Sequence, residues 1–191
     1  MAANEKKDMV TEKKFFEKSA VELAQQLLGK IIRREFEENG EKFYINGRIT
    51  ETEAYCSKEI DSVCHDHPTQ HKKGGTIYYH RIWGWDSFDI VANKENVGEG
   101  VLIRHIDGYR TMHDATVAFD IEKVDGSYLL DTESKICLVN DKAEVEYVCS
   151  TRKLGEKADK EAKEKPWRFV VTKITLATTN HESVDKSKDN Q

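Results

Sequence analysis

Behind the dipeptide Asn39-Gly40, the chain keeps a period of two from residue 42 to residue 55. Strand side chains alternate between faces, so Phe43, Ile45, Ile49, Glu51, Glu53 and Tyr55 share one parity. Asn-Gly is a favoured two-residue hairpin turn, which makes residues 31–36 the antiparallel partner of this long strand. The shared parity starts hydrophobic and ends acidic, so on a straight strand both glutamates point at the core. A carboxylate in apolar surroundings gains affinity for a proton, which is how a glutamate becomes a general base near neutral pH. The alternative is a slip of parity at Gly47, since a strand glycine often marks a bulge, which would leave the acids on a half-exposed face. Two acids about 7 Å apart on one strand also suit a glycoside-cleaving pair, although such acids normally flank the bond from different elements.

The remaining pattern supplies partners for that strand. Ser19-Ala20-Val21-Glu22 has the form of a capping box opening a helix, whose apolar stripe is Val21, Ala24, Leu27 and Leu28 and whose end is Gly29. Residues 76–83 and 87–92 read as a second hairpin around Gly84, with Trp83 and Trp85 at its tip. Residues 101–106 read as a strand on which Leu102, Arg104 and Ile106 share a face. Arg104 therefore stands where an apolar residue belongs and calls for a buried carboxylate partner. Helices are expected over 109–117 and from about 132 through Ile136, Cys137 and Leu138, a mixed-charge helix or loop over 156–165, and a closing strand over 167–176. The mixture predicts an α+β fold: a single domain with a curved antiparallel sheet and surrounding helices. Residues 1–12 are expected to form a flexible arm, 13–178 the domain, and 179–191 a disordered tail.

With 191 residues and 22.0 kDa, one domain is the natural size. A net charge of -5 and a pI near 5.8 exclude a chain-wide basic field, although one face of an acidic protein can still meet a phosphate backbone. The cysteines at 56, 64, 137 and 149 lack disulfide-framework spacing, and residues 1–14 lack an apolar signal core, so a cytoplasmic location is expected. No apolar run approaches the length of a membrane span. Residues 56–75 form a long polar loop containing Cys56, Cys64, His65, His67 and His71. His67 and His71 match half of a zinc-finger spacing, but the close cysteine pair that completes it is missing, so no metal is assigned. Trp83 and Trp85 suit cross-strand packing by composition, yet a hairpin tip is a poor place to bury two indoles.

Taken in order, these residues resemble the alkyladenine (3-methyladenine) DNA glycosylase family. The resemblance runs from Phe15-Phe16 and the Leu-Ala-Gln-Gln-Leu-Leu-Gly-Lys run ending at Lys30 through Arg48-Ile49-Thr50-Glu51-Thr52-Glu53-Ala54-Tyr55, Asp61, His65, Gly75-Thr76-Ile77-Tyr78 and Gly84. It continues through Asn93, Val101-Leu102-Ile103-Arg104, Ser134-Lys135-Ile136-Cys137, Arg152 with Gly155, and Pro166-Trp167-Arg168-Phe169. It implies a DNA-inserting hairpin that protrudes from the sheet, and hydrolysis of the N-glycosidic bond of alkylated purines flipped out of damaged double-stranded DNA. Glu53 would activate the attacking water, Arg104 would hold Glu53 and the water, and Tyr55, His65 and His80 would sandwich the base. Asn93 would exclude normal guanine. Trp83 would be the wedge before Gly84, and Lys135 and Arg152 would lie in the DNA-binding set. No cofactor is implied, and a monomer is expected.

The chain departs from the family pattern at several points. His80 stands where a second tyrosine is usual, Trp83 replaces the wedge tyrosine, the stretch between Gly84 and Asn93 is long, and Asp131-Thr132-Glu133-Ser134 replaces a Gly-Pro-Gly loop. A protonated His80 would repel a cationic alkylpurine, whereas a neutral one can stack on it. The competing expectations are a lesion-binding protein of the same fold without catalysis, and a metal-binding interaction domain.

Overall fold

The protein is described here by a computed structural model covering residues 8–57, 69, 71–82, 84–156 and 158–176. The Asn39-Gly40 turn forms as its sequence demands: both residues have positive φ, 53° and 83°, the pair of left-handed conformations that a type I′ turn needs. It joins β1 (Ile31–Glu38) to β2 (Glu41–Tyr55), in register from Glu38 opposite Glu41 to Ile31 opposite Arg48. β2 is longer than its partner. Beyond Arg48 it pairs on one side with β8 (Arg168–Thr175) and on the other with β5 (Glu99–Ile106). β3 (Ile77–Ile82), β4 (Trp85–Ala92), β6 (Ile136–Val139) and β7 (Glu144–Ser150) complete the sheet. The order is β3-β4-β5-β2-β1-β6, with β8 and β7 branching from β2, and every pairing is antiparallel. The result is a single α+β domain with a curled, half-barrel sheet.

Helix α1 (Ala20–Leu27) starts where the capping box places it, with Ser19 Oγ accepting the Glu22 N–H at 3.3 Å. Its buried Ala20, Leu23, Ala24 and Leu27 pack into a core with Phe16, Ile32, Ile49, Ala54, Phe88, Ile90, Val101, Ile103 and Phe119. Each large side chain so buried is worth roughly 1.5–3 kcal/mol of transfer free energy. Helices α2 (Met112–Ala118) and α3 (Lys160–Glu164) are capped by Thr111 and Asp159.

The uniform parity expected of β2 does not hold, and the break lies at Thr50 rather than at Gly47. Ile49 pairs with Ile106, Glu51 with His105, and Thr52 with Ile103. Thr50 is thus an extra residue on β2, and Arg104 a compensating extra residue on β5. Ile49 and Ala54 belong to the core, and Thr52 Oγ1 donates to the Ala24 carbonyl of α1 at 2.9 Å. Glu51 and Glu53 therefore occupy the opposite face from Ile49. The same break separates Ile106, in the core, from Leu102 and Arg104. Phe43 is 45% exposed because the early part of the hairpin extends past the core. Gly47 has a different purpose: a Cβ there would lie 2.3 Å from Ile106 Cγ2 and 2.9 Å from Phe119 Cζ.

Residues 136–139 are strand β6 instead of helix, because Ile136 and Leu138 complete the core while pairing with Arg34 and Ile32 on the free edge of β1. β7, unanticipated from sequence, is mostly exposed, and its burial does not alternate along the strand. Of the expected N-terminal arm, residues 8–10 add to β6: Val10 N–H donates to Leu138 O at 2.9 Å, and Met9 bridges Val139. The expected tail at 179–191 lies outside the described residues.

Candidate active site

Residues directly opposite one another in a sheet share a face. Tyr78 of β3 lies opposite Asp89 of β4, Asp89 opposite Leu102 of β5, Leu102 opposite Glu53 of β2, and Glu53 opposite Arg168 of β8. One row on lie His80 opposite Ser87, and Glu51; one row back lie Tyr55 and Val91, both opposite Gly100. The sheet thus gathers three acids, an arginine, two tyrosines and a histidine from distant segments onto the face turned away from α1.

Glu53 is fully buried. Its surroundings are donors and cations rather than the apolar shell expected from sequence. Tyr55 Oη donates to Oε2 at 3.1 Å and Lys153 N–H to Oε1 at 3.0 Å, while Arg104 Nε and Arg168 Nε lie 3.8 and 3.9 Å from Oε1. Arg168 Nε donates to Glu51 Oε1 at 2.7 Å, and Arg104 Nε lies 3.8 Å from that same oxygen. Arg104 therefore faces both carboxylates, meeting the need for a buried acidic partner. Its Nε is buried without a hydrogen bond among the described residues. The two acids are not equivalent: Glu51 is tied to Arg168, whereas Glu53 takes its bonds from Tyr55 and a main-chain amide.

Tyr55 backs onto Arg152, whose guanidinium sits 5.0 Å from the Tyr55 ring and 5.0 Å from the Trp167 ring. Burial, then the charges of Glu53 and Asp89, push the Tyr55 hydroxyl well above its ordinary pKa, so it remains a proton donor to Glu53. Arg152 is only 4% exposed and donates to the carbonyls of Ala54 (3.0 Å) and Ala162 (3.2 Å). That geometry braces the Tyr55 ring from behind. His80 stacks on Tyr78 with centroids 5.5 Å apart, and its Nδ1 lies 2.9 Å from Ser87 Oγ.

Two other expected residues lie apart from this cluster. Asn93 ends β4 with φ 65°, its amide bonded to Glu99 Oε2 at 3.3 Å and its Oδ1 accepting the Lys94 N–H at 2.8 Å. Both bonds lie within the connection between β4 and β5. Lys135 precedes β6, at the other end of the strand order from the hairpin, and bonds Glu35 Oε1 at 2.5 Å. With Lys42 it holds the Glu35 carboxyl down at about 2, Lys135 being the larger influence. Gly84 turns the β3–β4 hairpin with φ 81°. His65 and Trp83, with Asp61, Cys64 and His67, fall outside the described residues, and among those described no group of three or more His, Cys, Asp or Glu side chains is arranged to hold a metal.

Sequence reasoning missed Asp89, Ser87 and the role of Arg168. Asp89 was detectable: Phe88 and Ile90 are core residues, so the alternating Ser87 and Asp89 must take the other face.

The family model described as methylpurine-DNA glycosylase (MPG) matches residues 14–175. The chain belongs to the methylpurine-DNA glycosylase family. As a member it is a DNA glycosylase, an enzyme of DNA repair. A Clostridium tetani protein is 27% identical over 199 residues, covering 85% of this chain and 96% of that protein. A Natranaerobius thermophilus protein is 37% identical over 112 residues, 52% of this chain and 54% of its own. Both bear the name "Putative 3-methyladenine DNA glycosylase". Among the described residues of this family member, no helix is long and apolar enough to cross a membrane.

Proposed function

We propose that the protein hydrolyses the N-glycosidic bond of an alkylated purine, such as 3-methyladenine or 7-methylguanine, after the nucleotide is flipped out of duplex DNA. The observation that supports this most is a fully buried Glu53 held by Tyr55, the Lys153 amide and the neighbouring Arg104. Burial at that level is costly unless the carboxylate is used or paired. In this reading, water beside Glu53 and Arg104 attacks the anomeric carbon of the deoxyribose and Glu53 takes its proton. The base departs with the electrons of the glycosidic bond. An alkylated purine is already cationic and leaves without a strong general acid. Tyr55, braced by Arg152, is the stacking platform, with His80 and His65 assigned to the opposite side. Trp83, next to Gly84 at the hairpin turn, takes the part of the wedge that fills the vacated space.

The products are a free base and an uncut abasic strand. Incubation with duplex DNA containing 7-methylguanine or 3-methyladenine is expected to release the modified base and leave the strand intact until alkali is added. Lesion binding without base release would instead assign the protein to recognition alone.

A further inference from the structure

Asp89 is a second buried acid on the active-site face, and the hydrolytic steps above give it no work. It is 5% exposed, and its polar contact among the described residues is a long one, His80 Nε2 at 3.4 Å. Buried carboxylates normally have a close cation or several donors. Glu53 and Glu51 meet that standard with two arginines beside them, and Asp89 does not.

Its placement is informative. Asp89 and Glu53 flank Leu102 on one row of the sheet, two strands apart, or about 10 Å between backbones at ordinary strand spacing. Leu102, 7% exposed and outside the core, is the apolar floor between them. A nucleoside whose sugar is at Glu53 extends its base across Leu102 towards Asp89 and His80. Asp89 also reaches Tyr55 electrostatically, because its charge is among the influences raising the Tyr55 hydroxyl. His80 need not cancel that charge: a neutral imidazole accepting from Ser87 Oγ at Nδ1 turns its Nε2–H towards Asp89.

We propose that Asp89 is a specificity-determining residue that selects positively charged purines by placing a carboxylate on the base-facing wall. This rests on the function proposed above and adds to it the preferred charge of the base. The physical reason is the distribution of charge along the reaction. Before cleavage, an N3- or N7-alkylated purine nucleoside is cationic on the base. As the bond breaks, the positive charge passes to the sugar, near Glu53, and the base leaves neutral. Asp89 therefore favours the bound cationic substrate more than the transition state, so its contribution appears chiefly in KM.

The test compares kcat and KM on duplexes carrying 7-methylguanine, which is cationic, or hypoxanthine, which is neutral. The native protein is expected to favour 7-methylguanine in KM. Asp89→Asn, which keeps shape and removes charge, is expected to raise KM for 7-methylguanine roughly tenfold, the order of one opposite-charge contact in a partly buried site. KM for hypoxanthine should change little. Asp89→Ser provides the same comparison if the amide variant does not fold. If neither folds, the native preference decides: equal KM for the two bases overturns the proposal, as does a preference surviving in either variant. Release of no base at all removes the parent reading, and this inference with it.

Discussion

At the scale of single residues, the two glutamates of one strand have different neighbours and therefore different tasks. Glu51 is held by Arg168 at 2.7 Å, both side chains being less than one-fifth exposed. Arg168→Gln is expected to cost about 1.5–3 kcal/mol, the range of a hydrogen bond to a charged group, measured by urea unfolding. The double variant Glu51→Gln/Arg168→Gln should recover part of that loss, because the single change leaves Glu51 facing fewer cations. That Glu51, Glu53 and Tyr55 share a face was legible from the alternation, but the bulge at Thr50 puts them on the face opposite to that of Ile49, which the alternation did not reveal. Arg168 as a partner was not legible. It lies 115 residues downstream of Glu53 (168 − 53) and meets it only because β8 takes over the edge of β2 where β1 stops. Asn93 was singled out by the resemblance alone; its left-handed backbone and its bond from the Lys94 N–H are features that no sequence pattern announced.

At the scale of elements, the β2–β5 pair and the β3–β4 hairpin set the geometry. Gly47 permits the close approach of Ile106 and Phe119, both buried. Gly47→Ala is expected to destabilise by about 1–3 kcal/mol through overpacking, seen as a lower denaturation midpoint with an unchanged slope. The hairpin is anchored through Asp86, which accepts from Arg81 Nε at 2.5 Å and from Tyr79 Oη at 2.7 Å. Arg81, first, and Tyr79 hold the Asp86 carboxyl down at about 2 against an ordinary 3.8, in opposition to burial. A carboxyl whose pKa is lower folded than unfolded stabilises above its unfolded value and loses that contribution as pH falls through the folded one. The difference in melting temperature between the native protein and Asp86→Asn is therefore expected to be constant above about pH 4 and to vanish towards about pH 2. The bulge at Thr50 could not be read from the sequence, because that position bears no glycine; at Arg104 the charge that interrupts the apolar face reads equally well as a call for a buried acid. Gly47, which does look like a bulge, is a packing glycine.

At the scale of the whole molecule, the sheet assembles most of the site, and the segment after β7 adds Arg152 and the Lys153 amide. The sheet's face towards α1 is apolar, and its other face gathers Tyr55, Tyr78, His80, Asp89, Glu53, Arg104 and Arg168 from five strands. The α+β class, the first helix and both hairpins were legible from turn and capping residues, whose chemistry is local. β6 and β7 were not, because their pairing depends on edges formed elsewhere in the sheet. A net charge of -5 still admits an enzyme of DNA, since binding depends on local fields rather than the total. The central claim is that a water activated by Glu53 releases the base. Chromatography of alkylated duplex DNA treated with native protein or Glu53→Gln at equal concentration tests it most directly. The native protein should release 3-methyladenine or 7-methylguanine, and the folded variant should be slower by roughly 10²–10⁴-fold, the usual contribution of a general base. Release by Glu53→Gln at the native rate would contradict the account.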